Sequence, residues 1–214
     1  MGRRVVTPAP PDAFDPAVAR IEAGERLYRV HSNTRGALEF NPGVGSPTRF
    51  AFFEDEAGGT VPVLYAAAAQ EGAVAETLLH DVPVGGGLLG YDDYASKVMS
   101  RIVVSRRLRV AMLHGLGLRR LSLTAGQVTS SPASTYAGTV AWAKAAHDAG
   151  LDGLVWMSRQ CNDARAYVFF GDRCGDAFTV DGGFGRTFAT GVDLMWLIEL
   201  CAPLRVDVLT PPSS

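Results

Sequence analysis

Five side chains stand at positions where chemistry could be done: Arg29, Arg49, Tyr65, Glu76 and Ser158. Arg29 lies inside the run Leu27-Tyr28-Arg29-Val30-His31. Strand alternation puts Leu27, Arg29 and His31 on one face and Tyr28 and Val30 on the other. An arginine inside a short strand needs an anionic partner if it is buried, and is an ordinary edge residue if it is not. Arg49 ends a stretch rich in Gly, Pro and Asn and precedes Phe50. A guanidinium there can grip a phosphate through two parallel hydrogen bonds, or simply stay solvated. Tyr65 closes an apolar strand, and Glu76 follows on the next helix. Helical phase groups Glu76 with Ala69, Ala73 and His80, leaving Val74, Ala75, Leu78 and Leu79 for the core. A carboxylate among alanines leaves the open space a ligand cavity needs, and the same pattern fits a solvated stripe. Ser158 ends the apolar run Gly153–Met157, with Arg159 and Asn162 behind it. Polar groups at the carboxyl end of a central strand often line a ligand crevice, although turn residues gather there too.

The elements that must hold these groups follow from periodicity and turn chemistry. Residues 1–14 are Pro-rich and predict a loose arm ahead of a single domain over 15–214. Asp15–Ala23 predicts a short helix ended by Gly24, and Arg26–His31 a strand. Ser32–Pro47 is a long loop of the kind that is more often functional than idle. Val61–Ala66 predicts a strand, Ala69–His80 a helix, and Gly85–Gly90 a flexible loop. Val98–Val104 and Leu108–Leu113 are rich in branched residues and predict strands. Ser131–His147 predicts a helix with Ser131 as N-cap and Pro132 in its first turn, stopped by Gly150. Gly153–Met157 predicts a central strand. Ala166–Phe170 follows as a strand, Val192–Leu200 as a helix and Val206–Leu209 as a last strand. This order is mixed rather than alternating, which favours an α+β sheet.

Composition narrows the classes. With 214 residues, 47% of them hydrophobic, the chain can bury a core without disulfides or metal. A net charge of −2 and the absence of a long basic run give no footprint for direct nucleic-acid binding. Arg3 and Arg4 are followed by Pro8, Pro10 and Pro11 instead of an apolar leader, and no stretch matches a membrane span. The expectation is a cytoplasmic protein whose Cys161, Cys174 and Cys201 are reduced, buried small hydrophobes. Gly85, Gly87 and Gly90 match a dinucleotide fingerprint in spacing, but Val110 and Ala111 stand where its acidic residue belongs. His31, His80, His114 and His147 are scattered without partners at ligand spacing, so no metal site is expected. Ser131 and Ser158 lack a nucleophile elbow.

Taken in order, the landmarks are more specific than any one of them. Tyr28-Arg29-Val30, Arg49-Phe50, Val63-Leu64-Tyr65-Ala66 with Glu76 downstream, and Asp152-Gly153-Leu154-Val155-Trp156-Met157-Ser158 resemble the RES domain family. The likeness runs from about Leu27 to about Phe170 and includes the helix with Trp142. The arginine, glutamate and serine that name the family map to Arg29, Glu76 and Ser158. One position departs: Ala51 follows Phe50 where the family often has Asn.

The resemblance implies an α+β, ADP-ribosyltransferase-like fold in a single domain, with a split, mixed β-sheet, an NAD cleft and flanking helices. It implies a toxin that degrades NAD at the nicotinamide–ribose bond and is neutralised by an antitoxin with an Xre-like helix-turn-helix. NAD is then a substrate, no cofactor is required, and either water or inorganic phosphate accepts the ADP-ribose. A homodimer is compatible with all of this. The roles expected are Glu76 as stabiliser of an oxocarbenium-like ribose, Arg29 and Arg49 on the pyrophosphate, and Tyr28 and Tyr65 against the substrate. Ser158 would lie at the nicotinamide or an incoming phosphate. Two alternatives stay open: transfer of ADP-ribose to a protein, and a catalytically silent partner-binding module. Val74, two positions before Glu76, breaks the paired-acid motif of arginine-modifying transferases.

Overall fold

The computed structural model describes residues 6–210. Within them the branched and aromatic runs form β1 (Val18–Ile21), β2 (Arg26–Ser32), β3 (Val63–Ala67), β4 (Gly87–Leu89) and β5 (Lys97–Val104). They are followed by β6 (Leu108–Met112), β7 (Gly153–Met157), β8 (Arg165–Phe170), β9 (Phe178–Thr187) and β10 (Val206–Val208). The helices are α1 (Gln70–Thr77), α2 (Tyr91–Tyr94), α3 (Leu116–Arg120), α4 (Ala125–Val128), α5 (Tyr136–Asp148), α6 (Gly171–Cys174) and α7 (Gly191–Cys201).

Eight strands join in one mixed sheet, in the order β1-β6-β7-β8-β3-β2-β5-β9, and β4 pairs separately with β10. Within the large sheet β6 and β7 are the parallel neighbours, because α3, α4 and α5 carry the chain back between them. The mixed sheet with flanking helices is the architecture the sequence predicts. The apolar run of β7 is explained by its place between β6 and β8, with both faces covered. Gly153 opens it because a Cβ there would meet the Val168 carbonyl oxygen at 2.0 Å.

Alternation sorts the core onto the two faces of the sheet. On one face Val63, Trp156 and Val168 pack against Trp142 and Ala146 of α5. The same face continues through Val30 and Ala67 to Ala73 and Val74 of α1. On the other, Leu27, Leu64 and Phe169 meet Phe178 and the loop residues Ala37, Leu38 and Phe40.

Several local expectations are corrected. The segment expected as a helix over Asp15–Ala23 contains β1, paired antiparallel with β6. Nine residues are too few to hold a helix unaided, and the β6 edge offers a ladder. Strand β9 has no counterpart among the expected elements, and its Gly182, Gly183 and Gly185 weaken any strand signal. The ladder to β5 holds it, with a register shift between Ser100 and Ile102 that absorbs the extra residues. Gly87–Leu89, placed in a flexible loop, is strand β4, parallel to β10. The helix expected from Ser131 starts as a 3-10 turn at Ala133 and becomes α-helical only at Tyr136. The arm is not loose over residues 7–14. Thr7 Oγ1 donates to the Gln127 carbonyl at 2.6 Å, and Trp142 Nε1 donates to the Pro8 carbonyl at 2.8 Å. Arg3 and Arg4 lie outside the described residues. Cys174 and Cys201 are buried free thiols, as expected, while Cys161 is only half-buried. Among the described residues no helix is long and apolar enough to cross a membrane.

Candidate active site

The sheet nearly parts between β2 and β3. Strand β2 pairs with β5 along its whole length, and β3 with β8 along its whole length. Between β2 and β3 the register holds one pair, Tyr28 with Ala67. Helix α1 lies over this gap and comes very close to the sheet. A Cβ on Gly72 would meet the Ala164 Cβ at 2.7 Å and the Ala67 Cβ at 3.3 Å. That close approach sets Glu76 over the opening. A narrow pocket of about 20 Å³ lies there, bordered by Tyr28, Arg29, Tyr65, Ala73, Glu76 and Trp156 among others.

Glu76 is half-buried and has neither an ion pair nor a hydrogen-bond partner among the described residues. Its charge is felt nearby. It favours the protonated form of Arg49, against the burial that holds that guanidinium below its usual range. Arg49 is 8% exposed, and its place depends on both sides of the chain. Tyr65 brackets it, since the Tyr65 hydroxyl accepts the Phe50 N–H at 3.2 Å and bonds Thr48 Oγ1 at 2.8 Å. Arg49 Nη1 donates to the Ser131 carbonyl at 2.8 Å, to Ser131 Oγ at 3.0 Å and to the Val128 carbonyl at 3.2 Å. Thr139 Oγ1 donates to the Arg49 carbonyl. Ser131 therefore turns inward as an acceptor for a buried cation, which is why it does not cap α5. Nε and Nη2 of Arg49 find no acceptor among the described residues, so two donors stay available to an anion.

The other expected residues are placed differently. Arg29, also 8% exposed, shares the Leu27 face and so points away from Tyr28 and Val30. Its Nη1 donates to the Ala37 carbonyl at 2.7 Å and its Nη2 to the Glu39 carbonyl at 2.8 Å. Burial lowers its pKa to about 10. Arg29 is among the residues that border the pocket, while its guanidinium ties the long loop to the sheet. Tyr28 lies at the one β2–β3 pair with its ring edge-on to Phe184, centroids 5.3 Å apart. Ser158 is fully buried just beyond β7, and its Oγ accepts the Cys161 N–H at 3.3 Å. It does not border the pocket beside Glu76. The structure thus brings together Glu76, Tyr65, Tyr28 and Arg29 around the pocket, with Arg49 within reach of the Glu76 charge, and sets Ser158 apart from it.

Sequence reasoning missed Ser131, Tyr136, Thr139 and the involvement of His80. Tyr136 carries the Arg49 guanidinium at 5.2 Å from its ring centroid, and its hydroxyl bonds His80 Nε2 at 2.9 Å. No local signal marks these residues. Only the need of Arg49 for acceptors could have pointed to them.

The buried Tyr65 phenol makes one prediction. Burial pushes its pKa from 10.0 up to about 12, so the unfolded chain releases this proton at a lower pH than the folded one. Its contribution to stability is full below pH 10 and is lost as pH rises through about 12. Denaturant midpoints measured from pH 9 upward should fall more steeply in the wild type than in Tyr65→Phe. Equal slopes would place the alkaline loss elsewhere.

Comparison with known proteins adds three findings. The family model described as RES domain matches residues 26–188. No curated protein matches the chain. Among solved structures the chain is similar to one in the crystal structure of the M. tuberculosis MbcT–MbcA toxin–antitoxin complex. That similarity has 15% identity and a TM-score of 0.57, covering 86% of this chain and 92% of the other. At that identity the likeness concerns the fold.

Proposed function

The chain belongs to the RES domain family, and from that premise we propose that it degrades NAD by cleaving the nicotinamide–ribose bond, as the toxin of a toxin–antitoxin pair. The observation that carries this reading is an uncommitted carboxylate, Glu76, at the near-parting of the sheet, close enough to favour the charged form of Arg49, whose Nε and Nη2 have no acceptor among the described residues.

The chemistry suits such a site. When the glycosidic C–N bond of NAD breaks, its electron pair moves to the pyridinium nitrogen. Nicotinamide leaves neutral and positive charge passes to the ribose. That step needs little acid assistance, and a carboxylate beside the ribose stabilises the developing oxocarbenium ion. Glu76 takes this role. Nε and Nη2 of Arg49 hold the pyrophosphate, and the rings of Tyr28 and Tyr65 bound the nicotinamide end. Arg29 contributes by fixing the loop that leads to Arg49. Ser158 supports the pocket wall from behind or meets the acceptor. Water adding to the anomeric carbon loses a proton and yields ADP-ribose. Inorganic phosphate adding there yields the 1-phosphate ester instead. A pocket of about 20 Å³ is far smaller than typical ligand sites of about 300–1,000 Å³. It marks where the reacting end of the dinucleotide enters, the gap between β2 and β3 widening to admit the ribose while the adenosine part lies along the mouth.

Transfer to a protein arginine is less well supported, because Val74 is fully buried and offers no second acid beside Glu76. The neighbouring fold comes from a toxin–antitoxin complex, which favours an antitoxin here too. A partner with an Xre-like helix-turn-helix that blocks the cleft and binds DNA itself fits a chain of net charge −2. Incubating the pure protein with NAD, with and without phosphate, should release nicotinamide, and product mass identifies the acceptor. Expressed alone, the chain should stop bacterial growth and deplete NAD. Normal growth and undiminished NAD, with soluble protein present, would sink the toxin reading.

A further inference from the structure

Arg49 is anchored by one corner. All three of its hydrogen bonds leave from Nη1, and bonds from a single nitrogen do not fix the direction of the free Nε and Nη2 edge. The Tyr136 ring supplies the second constraint, with the guanidinium carbon 5.2 Å from its centroid. Tyr136, 8% exposed, is itself held at both ends. Its carbonyl accepts Thr139 Oγ1 at 3.1 Å, and its hydroxyl bonds His80 Nε2 at 2.9 Å. His80 Nδ1 lies 2.9 Å from Asp81 Oδ1. A carboxylate accepts only, so Nδ1 carries the proton of the neutral ring, Nε2 is an acceptor, and the Tyr136 hydroxyl donates to it. His80 stands one helical turn past Glu76, just beyond the end of α1. The Tyr136–His80 bond is therefore a strut between the element that carries Glu76 and the element that holds Arg49.

We propose that Tyr136, held by His80, is a positioning residue. Its ring directs the free edge of Arg49 towards the anionic part of the substrate, and its hydroxyl sets the separation of that edge from Glu76. This rests on the NAD-cleavage reading for its kinetic part and on geometry alone for its anion-binding part. Loss of the ring and loss of the strut therefore have different signatures. In Tyr136→Leu the affinity for ADP-ribose should fall about tenfold, the scale of a partly desolvated cation–π contact, and KM for NAD should rise with it. In Tyr136→Phe the ring stays, so ADP-ribose affinity should stay within about twofold of wild type, while kcat drops because the strut is gone. His80→Ala should match Tyr136→Phe, and the double variant should be no worse than either alone. His80→Gln keeps an acceptor for the hydroxyl and should restore most of kcat. His80 is exposed, so these His80 variants leave the core intact even if Tyr136→Leu folds poorly.

ADP-ribose titration by calorimetry, alongside nicotinamide release, separates the two ideas. Wild-type protein that releases no nicotinamide overturns the activity reading. Wild type that releases nicotinamide, with Tyr136→Leu binding ADP-ribose as tightly as before, overturns the ring's role. Additive losses in Tyr136→Phe and His80→Ala overturn the strut.

Discussion

Glu76→Gln is expected to lower the turnover of NAD by about 100- to 1,000-fold, the usual consequence of removing one preorganised electrostatic group from a charge-developing transition state. Substrate affinity should change far less, because the ribose carries no positive charge until the glycosidic bond stretches. The variant is unusually clean. Glu76 makes no ion pair or hydrogen bond within the described residues, so the amide breaks no internal contact and the fold should be retained. Comparing kcat and NAD affinity on protein with an unchanged denaturation midpoint is the measurement. Near-normal turnover would remove Glu76 from the mechanism and leave the cleft without its one uncommitted acid. The same variant, expressed without an antitoxin, should permit growth where the wild type stops it.

Arg29→Ala is expected to act first on stability, at a cost of about 3 kcal/mol. Two charge-assisted hydrogen bonds to the carbonyls of Ala37 and Glu39 are lost, and both acceptors are left short of a partner beside a strand. The loop that those bonds tie down runs on towards Arg49, so NAD cleavage should fall as well, as a consequence of a loosened loop. Denaturant unfolding and limited proteolysis between residues 33 and 47 test this together. A fully stable Arg29→Ala that loses NAD affinity would instead put the Arg29 charge on the substrate, as the family resemblance implied.

The order of landmarks was legible before any coordinates. Arg29 in a strand, Arg49 after a loop, Tyr65 in β3, Glu76 on α1 and Ser158 after β7 all lie in the elements where periodicity put them. These are local properties, set within a few residues by alternation, helical phase and turn chemistry. The family follows from that order, as does the mixed sheet with flanking helices.

What the sequence by itself determined, then, is which side chains are present, on which kind of element, and in what succession. Their final directions were decided elsewhere. The single pairing of Tyr28 with Ala67 that opens the sheet depends on each strand finding its full ladder on the other side, with β5 and with β8. Strand β9 forms against its glycine-rich sequence because β5 presents an edge to it. Arg49 takes its acceptor from Ser131, 82 positions away, and that demand turns a would-be helix cap inward. Tyr136 and His80 meet across 56 positions. Arg29, whose type promised an anion, satisfies its guanidinium on carbonyls of the loop that follows its own strand. A buried polar group must be paired. Periodicity can say that such a group is buried, but only the tertiary packing supplies the partner.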